Sequence, residues 1–247
     1  MAEAIILSGS GRYRDPWHPF TETSAALAEI VRAAGFTVKV ADEPDTALAG
    51  LGADVRLVIV NAGDSEGPVP PDVLDSPIPV SERAEPGAIV DSATVAAAND
   101  ALAAAIDRGI GILAMHTAAA SLRDYTAFER ALGARWVRDV SWHPPIGDAT
   151  VHIVGNHVIA EGLDDFSVFD ERYTGFRLLD VIEPIAEHEE EGVRHPLIWA
   201  REFGRSRLVY DALGHDARSY ESAGHRALLA RALDWLSRVP ALTTGVA

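Results

Sequence analysis

The sequence predicts an α/β fold in which a mostly parallel sheet carries helices on both faces as a three-layer α/β/α arrangement, with extra strands in its second half. Two observations point there. Short apolar runs alternate with segments of helical period in the first half, and the second half is richer in strand-like runs. The chain, at 247 residues, is also long enough to bury about 70–75% of its unfolded surface without any covalent staple.

The elements follow in order. Ala4 to Leu7 reads as the first strand. A helix from about Thr21 places Leu27, Ile30, Val31 and Ala34 on one face, with Gly35 as its stop. Phe36 to Val40 and Val55 to Val60 read as strands two and three. A helix from about Ser92 carries Val95, Ala98, Leu102 and Ile106 on one stripe and closes near Gly109, and Ile110 to Met115 reads as a fully buried strand. Asp124 is the expected cap of a short helix through Leu132, stopped by Gly133. Five further strands are expected at Ala149 to Val154, Val168 to Phe176, Ile185 to Glu189, Leu197 to Glu202 and Arg207 to Leu213, followed by a helix from about Glu221 to Arg238. No flexible linker marks a break near residue 140, so residues 1–240 read as a single domain. The segment from Asn61 to Asp91 holds six of the fourteen prolines and little periodicity, which makes 61–91 either a lid over the strand ends or a passive insertion.

Charge and composition exclude several classes. The formal net charge is −16 and Lys39 is the only lysine, a balance that repels nucleic acid and anionic membrane surfaces. The absence of cysteine removes disulfides, thiolate nucleophiles and Cys-ligated zinc. The N-terminus has no basic region ahead of its short apolar run, and no apolar stretch approaches the ~18–20 residues of a membrane helix, so a cytoplasmic location is expected.

Chemistry must then come from histidines and carboxylates. In Gly109 to Ala120 an apolar strand runs straight into His116 and then into small residues, the layout of a strand-to-helix elbow that holds a reactive side chain above the sheet edge. Imidazole suits proton transfer or metal ligation there better than stable acyl chemistry. A second strand ends in Leu213-Gly214-His215, and ligands of open α/β sheets bind beyond such carboxyl ends, so His116 and His215 are expected to converge. His143 lies on a proline-stiffened loop beside Trp142, and Trp142 and Trp17 serve either for stacking on a sugar ring or for rim packing. Strand alternation sends Asp170 and Glu171 to opposite faces, so only one of the two is expected to reach a site. His195 either contributes or simply begins its strand, whereas His152, His157 and His225 read as structural or surface residues. The glycines of Ser8 to Arg12 fit neither a dinucleotide fingerprint nor a phosphate loop. His188-Glu189 lacks the second histidine of a zinc-protease helix, because position 192 is Gly192.

Taken in order, Gly11 to Asp15 through Trp17-His18-Pro19-Phe20, the strand ending in His116, Trp142-His143-Pro144, Asp170 to Tyr173, His195 to Trp199 and Leu213-Gly214-His215 resemble the ThuA-like (trehalose utilization) family across nearly the whole chain. The resemblance implies a class I glutamine amidotransferase-like (flavodoxin-like) fold with His116 in the place of the amidotransferase cysteine. It further implies a role in carbohydrate metabolism on trehalose-related disaccharides or their keto derivatives. His116, His143, His215 and the Asp170/Glu171 pair map onto the polar cleft. The chain departs from the family's commoner pattern at Trp17-His18 and in the length of 61–91.

The expected activity is acid–base chemistry in which Glu171 or Asp170 works with His116 and His215. Arg14, Trp17, His18, Trp142, His143 and Tyr173 are the expected contacts to a small-molecule sugar. No cofactor is fixed by a motif; a divalent metal, zinc or manganese, held by His116, His143 and His215 is one option. A non-catalytic carbohydrate-binding or regulatory protein on the same scaffold is the alternative. A homodimer is left open.

Overall fold

The computed structural model describes residues 2–15, 17–63 and 91–238, so the lid or insertion expected over 61–91 lies, apart from its ends, outside the described residues. The strands are β1 (Glu3–Ser8), β2 (Thr37–Ala41), β3 (Val55–Asn61), β4 (Gly111–Met115), β5 (Ala134–Arg135), β6 (Gly147–Ile153), β7 (Phe166–Asp170), β8 (Arg177–Leu178), β9 (Glu183–Glu190), β10 (Val193–Phe203) and β11 (Ser206–Asp211). Nine of them form one sheet in the order β2-β1-β3-β4-β11-β10-β9-β6-β7, and β5 pairs with β8 separately. The run from β2 to β11 is parallel, and from β11 outward every neighbour is antiparallel. This is the expected α/β architecture with its extra strands.

The continuous apolar sequence of the central strands has a simple cause. Every residue of β4 is buried, as are Leu57 to Val60 of β3, because helices cover both faces of a parallel sheet. Helices α1 (Phe20–Ala33) and α5 (Ala223–Ser237) lie together on one face, while α2 (Pro44–Ala49), α3 (Ser92–Arg108) and α4 (Thr126–Leu132) follow one another on the other. Among the described residues no helix is long and apolar enough to cross a membrane.

Two local expectations are corrected, and one short helix was not expected. The segment read as one strand over 168–176 leaves the sheet after Asp170, because the carboxylate of Asp170 accepts the next backbone amide, Glu171 N, at 2.8 Å and turns the chain. Asp124 does not cap α4: the capping position is Tyr125, without a side-chain bond, and Asp124 pairs with Arg12 instead. Helix α2 escaped the periodicity because it is one and a half turns long; its signal was Pro44 at the first turn, where a missing N–H costs nothing.

The chain runs from β1 to β2 on one side and returns to β3 on the other, so a crevice opens between the carboxyl ends of β1 and β3, next to the end of β4. At the far side of that edge, β11 is tied to α5 by a fully buried pair, His225 Nε2 and Asp211 Oδ2 at 2.9 Å, with His225 Nδ1 3.0 Å from Ser219 Oγ. Burial alone would lower the pKa of His225, but the charge of Asp211 overrides it and raises that pKa above the usual histidine value.

A group whose pKa is higher folded than unfolded stabilises the fold fully below its unfolded value, about 6.5 for histidine, and this contribution fades as pH rises through the folded value. Urea unfolding of the wild type across pH 5.5–9 should therefore show a loss of stability on the alkaline side that His225→Gln lacks. Identical pH dependence in the two proteins would contradict the charged pair.

Candidate functional site

His116 is the first residue after β4 and opens a short 3-10 turn, His116–Ala119. Its φ is +45°, a left-handed conformation that costs a non-glycine residue roughly 1–3 kcal/mol and persists only where neighbours over-determine it. They do. Tyr210 Oη donates to His116 O at 2.7 Å, Thr117 Oγ1 donates to Ala62 O at 2.9 Å, and His116 Nδ1 lies 2.6 Å from Ala212 O. The elbow read from sequence is therefore present, with imidazole at its tip.

The other side chains arrive from three loops. The loop after β1 is anchored by Arg12, which donates to both oxygens of Asp45 at 2.9 and 2.7 Å, while Tyr13 Oη donates to the same carboxylate at 2.6 Å. Asp15 then accepts the backbone amides of Trp17 and His18 at 3.0 Å each and the Nδ1–H of His18 at 2.6 Å. Gly63, beyond β3, passes so close that a Cβ there would sit 2.5 Å from Asp15 Oδ2, so the position requires glycine. After β11, Gly214 N and His215 N both donate to Asp170, at 2.7 and 3.1 Å. Asp170 is wholly buried and holds three loop amides, those of Glu171, Gly214 and His215; Glu171, next in the chain, is the carboxylate that reaches the histidines.

The rings of His116 and His215 lie 5.6 Å apart, and His18 is 4.9 and 4.8 Å from them. His116 Nε2 stands 3.1 Å from His18 Nε2 and 3.4 Å from Glu171 Oε2, and His215 Nδ1 is 3.2 Å from that same oxygen. One ligand-type atom from each of these four residues falls within 4.8 Å of all the others. Burial alone would raise the Glu171 pKa, but the adjacent His116 and His215 hold it well below the usual carboxylate range. Burial would likewise lower that of His215, and Glu171 reverses this and raises it.

His143 stands just outside the group. Its Nδ1 is 3.0 Å from Pro144 O and 3.6 Å from Glu171 Oε1, and its side chain is 35% exposed against 2% for His116, so the group is reached from the His143 side. The trio His116, His143 and His215 considered for a metal is thus revised: His18 and Glu171 join His116 and His215, and His143 does not.

Tyr173 is buried, with its ring 4.3 Å from that of His116 and 4.3 Å from that of Trp136. Trp136, 5.9 Å from the ring of His143, was not singled out from sequence, nor was Asp15. Trp142 and Trp17 are exposed at the rim, and Arg14 is exposed without a side-chain bond to the histidines. His195 lies inside β10 and stacks on His188 at 5.4 Å, away from the group. A concavity of about 640 Å³ between α3, α4 and β10 is lined by Ile106, Ala131, Leu179, Arg201 and Phe203; it lies at the amino ends of β4 and β11 and contains none of the clustered residues.

Residues 4–236 match the ThuA family, described as trehalose utilisation. Among solved structures, a ThuA-like protein of Parabacteroides merdae superposes with a TM-score of 0.71 at 14% identity over 96% of this chain and 90% of that one. A ThuA-like protein of Bacteroides uniformis gives 0.67 at 14% identity over 95% and 91%. A β-galactosidase of Rahnella sp. R3 gives 0.54 at 14% identity, over 98% of this chain but 32% of that one. At these identities the likeness is one of fold. No curated protein sequence matches.

Removing the Asp170 carboxylate leaves two buried amides and one partly buried amide unpaired. Asp170→Ala should lower unfolding free energy by about 3 kcal/mol or more in chemical denaturation, well beyond the effect of His143→Ala at the exposed rim. Equal, small losses would show that the amides find other partners.

Proposed function

For this chain, which belongs to the ThuA (trehalose utilisation) family, we propose enzymatic action on a trehalose-related disaccharide or a keto derivative of one, by proton transfer between a histidine and a carboxylate. The observation that carries the reading is the placement of His143 and Glu171. The half-exposed imidazole has its Nδ1 next to Pro144 O, so the lone pair is on Nε2, which makes no hydrogen bond among the described residues. The buried carboxylate, 3.6 Å behind the ring, stabilises the positive charge that appears when His143 takes a proton.

In this reading His18, His116 and His215 form the floor against which the reacting oxygen of the sugar lies. His143 removes or returns the proton at the adjacent carbon or oxygen, and Glu171 compensates its charge. Trp136 and the exposed Trp142 supply flat apolar faces for a pyranose ring, while the buried Tyr173 fixes the tilt of His116 from beneath. His116 keeps the reacting centre in register, since its strained backbone and its bond to Ala212 O hold the ring still. The alternative, a sugar-binding protein without turnover, shares the aromatic faces and differs only in whether His143 moves a proton.

Purified protein incubated with trehalose, other disaccharides and their keto derivatives, followed by NMR of the products, separates the two. The expected outcome is turnover of at least one keto-disaccharide, reduced about 10²–10⁴-fold in kcat by His143→Ala. Trp136→Ala should raise KM by up to about tenfold with a smaller change in kcat. Thermal stabilisation by sugars without any conversion would replace the enzyme with the binding protein.

A further inference from the structure

We propose that His18, His116, His215 and Glu171 bind one divalent transition-metal ion. The argument starts from where the protons must be. His18 Nδ1 is 2.6 Å from a carboxylate oxygen of Asp15, and His116 Nδ1 is 2.6 Å from the carbonyl oxygen of Ala212. A carbonyl oxygen and a carboxylate oxygen only accept, so each ring carries a proton on Nδ1, and in the neutral ring the lone pair is then on Nε2. Those two Nε2 atoms face one another at 3.1 Å, with Glu171 Oε2 3.4 Å from one of them. With both rings neutral, two lone pairs and an anionic oxygen turn to one point, and a metal ion between them removes their repulsion.

His215 gives an independent indication. Its Nδ1 is buried and makes no hydrogen bond of acceptable geometry, although it lies 3.2 Å from Glu171 Oε2. A buried polar atom without a partner costs roughly 1–3 kcal/mol, and a bound ion removes that cost.

The spacing fits the same conclusion. Donors bound to zinc at about 2.0–2.2 Å in tetrahedral array stand about 3.3 Å apart. The separations of 3.1, 3.2 and 3.4 Å bracket that value, and the remaining separations fall within 4.8 Å, so the ion has to draw the outermost donors in. The second layer has the form that metal-binding histidines take: a carboxylate behind His18 and a main-chain carbonyl behind His116, each fixing tautomer and ring orientation. Three imidazoles and one carboxylate suit zinc first and manganese second. One anionic donor leaves net positive charge on the centre, which polarises a sugar oxygen entering as a further ligand beside His143. The proposal deepens the sugar reading at the same site and rests on it only for the use of the ion, not for its binding.

The test uses full-length protein stripped with chelator, then re-equilibrated with Zn²⁺ or Co²⁺ and assayed for bound metal by mass spectrometry and for cobalt ligand-field absorption. The wild type should take up about one ion per chain with histidine-bound cobalt bands. His18→Ala and Glu171→Gln should lose affinity by about 100-fold or more, and Asp15→Asn by about 10–100-fold. His152→Ala, whose partly exposed ring pairs with Asp165, should bind as the wild type does. Should the cluster variants fail to fold, the wild-type cobalt spectrum decides alone. Substoichiometric metal on the wild type, cobalt bands without nitrogen ligation, or unchanged affinity in His18→Ala would overturn the proposal. Stoichiometric metal with no sugar conversion would leave the ion in place and remove the sugar reading. Undiminished conversion by verified metal-free protein would keep the sugar reading and remove the ion from the reaction.

Discussion

Nitrogen atoms of His18, His116 and His215 and an oxygen of Glu171 crowd within 4.8 Å at the carboxyl edge of the parallel strands, and the surrounding structure keeps them from separating. Such groups would move apart in solution. Here each is held by a bond that has nothing to do with the others: Asp15 grips His18, the Ala212 carbonyl and the Tyr210 hydroxyl grip His116, and Asp170 grips the amides at Glu171 and His215. The strained φ of +45° at His116 is tolerated for the same reason. The polar centre is therefore a property of the scaffold, built before any ligand arrives.

The scaffold itself follows from ordinary burial. β4 and most of β3 have no exposed face, so they can only be central strands, and the reversal of strand order between β1 and β3 puts the crevice beside the end of β4. A related sheet recurs in the ThuA-like proteins and within a much longer β-galactosidase chain, which shows how little the fold alone says about the reaction. The reaction has to be read from the residues at the strand ends.

Much of this was legible in the sequence. Apolar runs and helical stripes located every strand of the parallel core, and the strand-then-small-residue pattern singled out His116. The approach of His215 followed from the rule that strand ends converge. What the sequence withheld is instructive. Asp15 and Trp136 sit in loops without periodicity; Asp15 meets His18 through a turn three residues long, whereas only the fold brings Trp136 to Tyr173. The separate fates of Asp170 and Glu171 turned on where β7 ends, and the hydrogen bond that ends it is made by a side chain to its own neighbouring amide. His143 stands aside from the metal-type set because its ring is held by Pro144 O, a contact one residue away that no spacing rule anticipates.

The central claim is that the imidazoles of His18 and His116 turn unprotonated Nε2 atoms to one shared cation. Long-range proton–nitrogen correlation NMR on protein with ¹⁵N-labelled histidine, recorded after equilibration with Zn²⁺, reads the tautomer of each ring directly. Both rings should carry their proton on Nδ1, with Nε2 shifted by the metal. A proton on Nε2 of either ring, or two imidazolium signals unaffected by zinc, would mean that the two rings meet for some other reason.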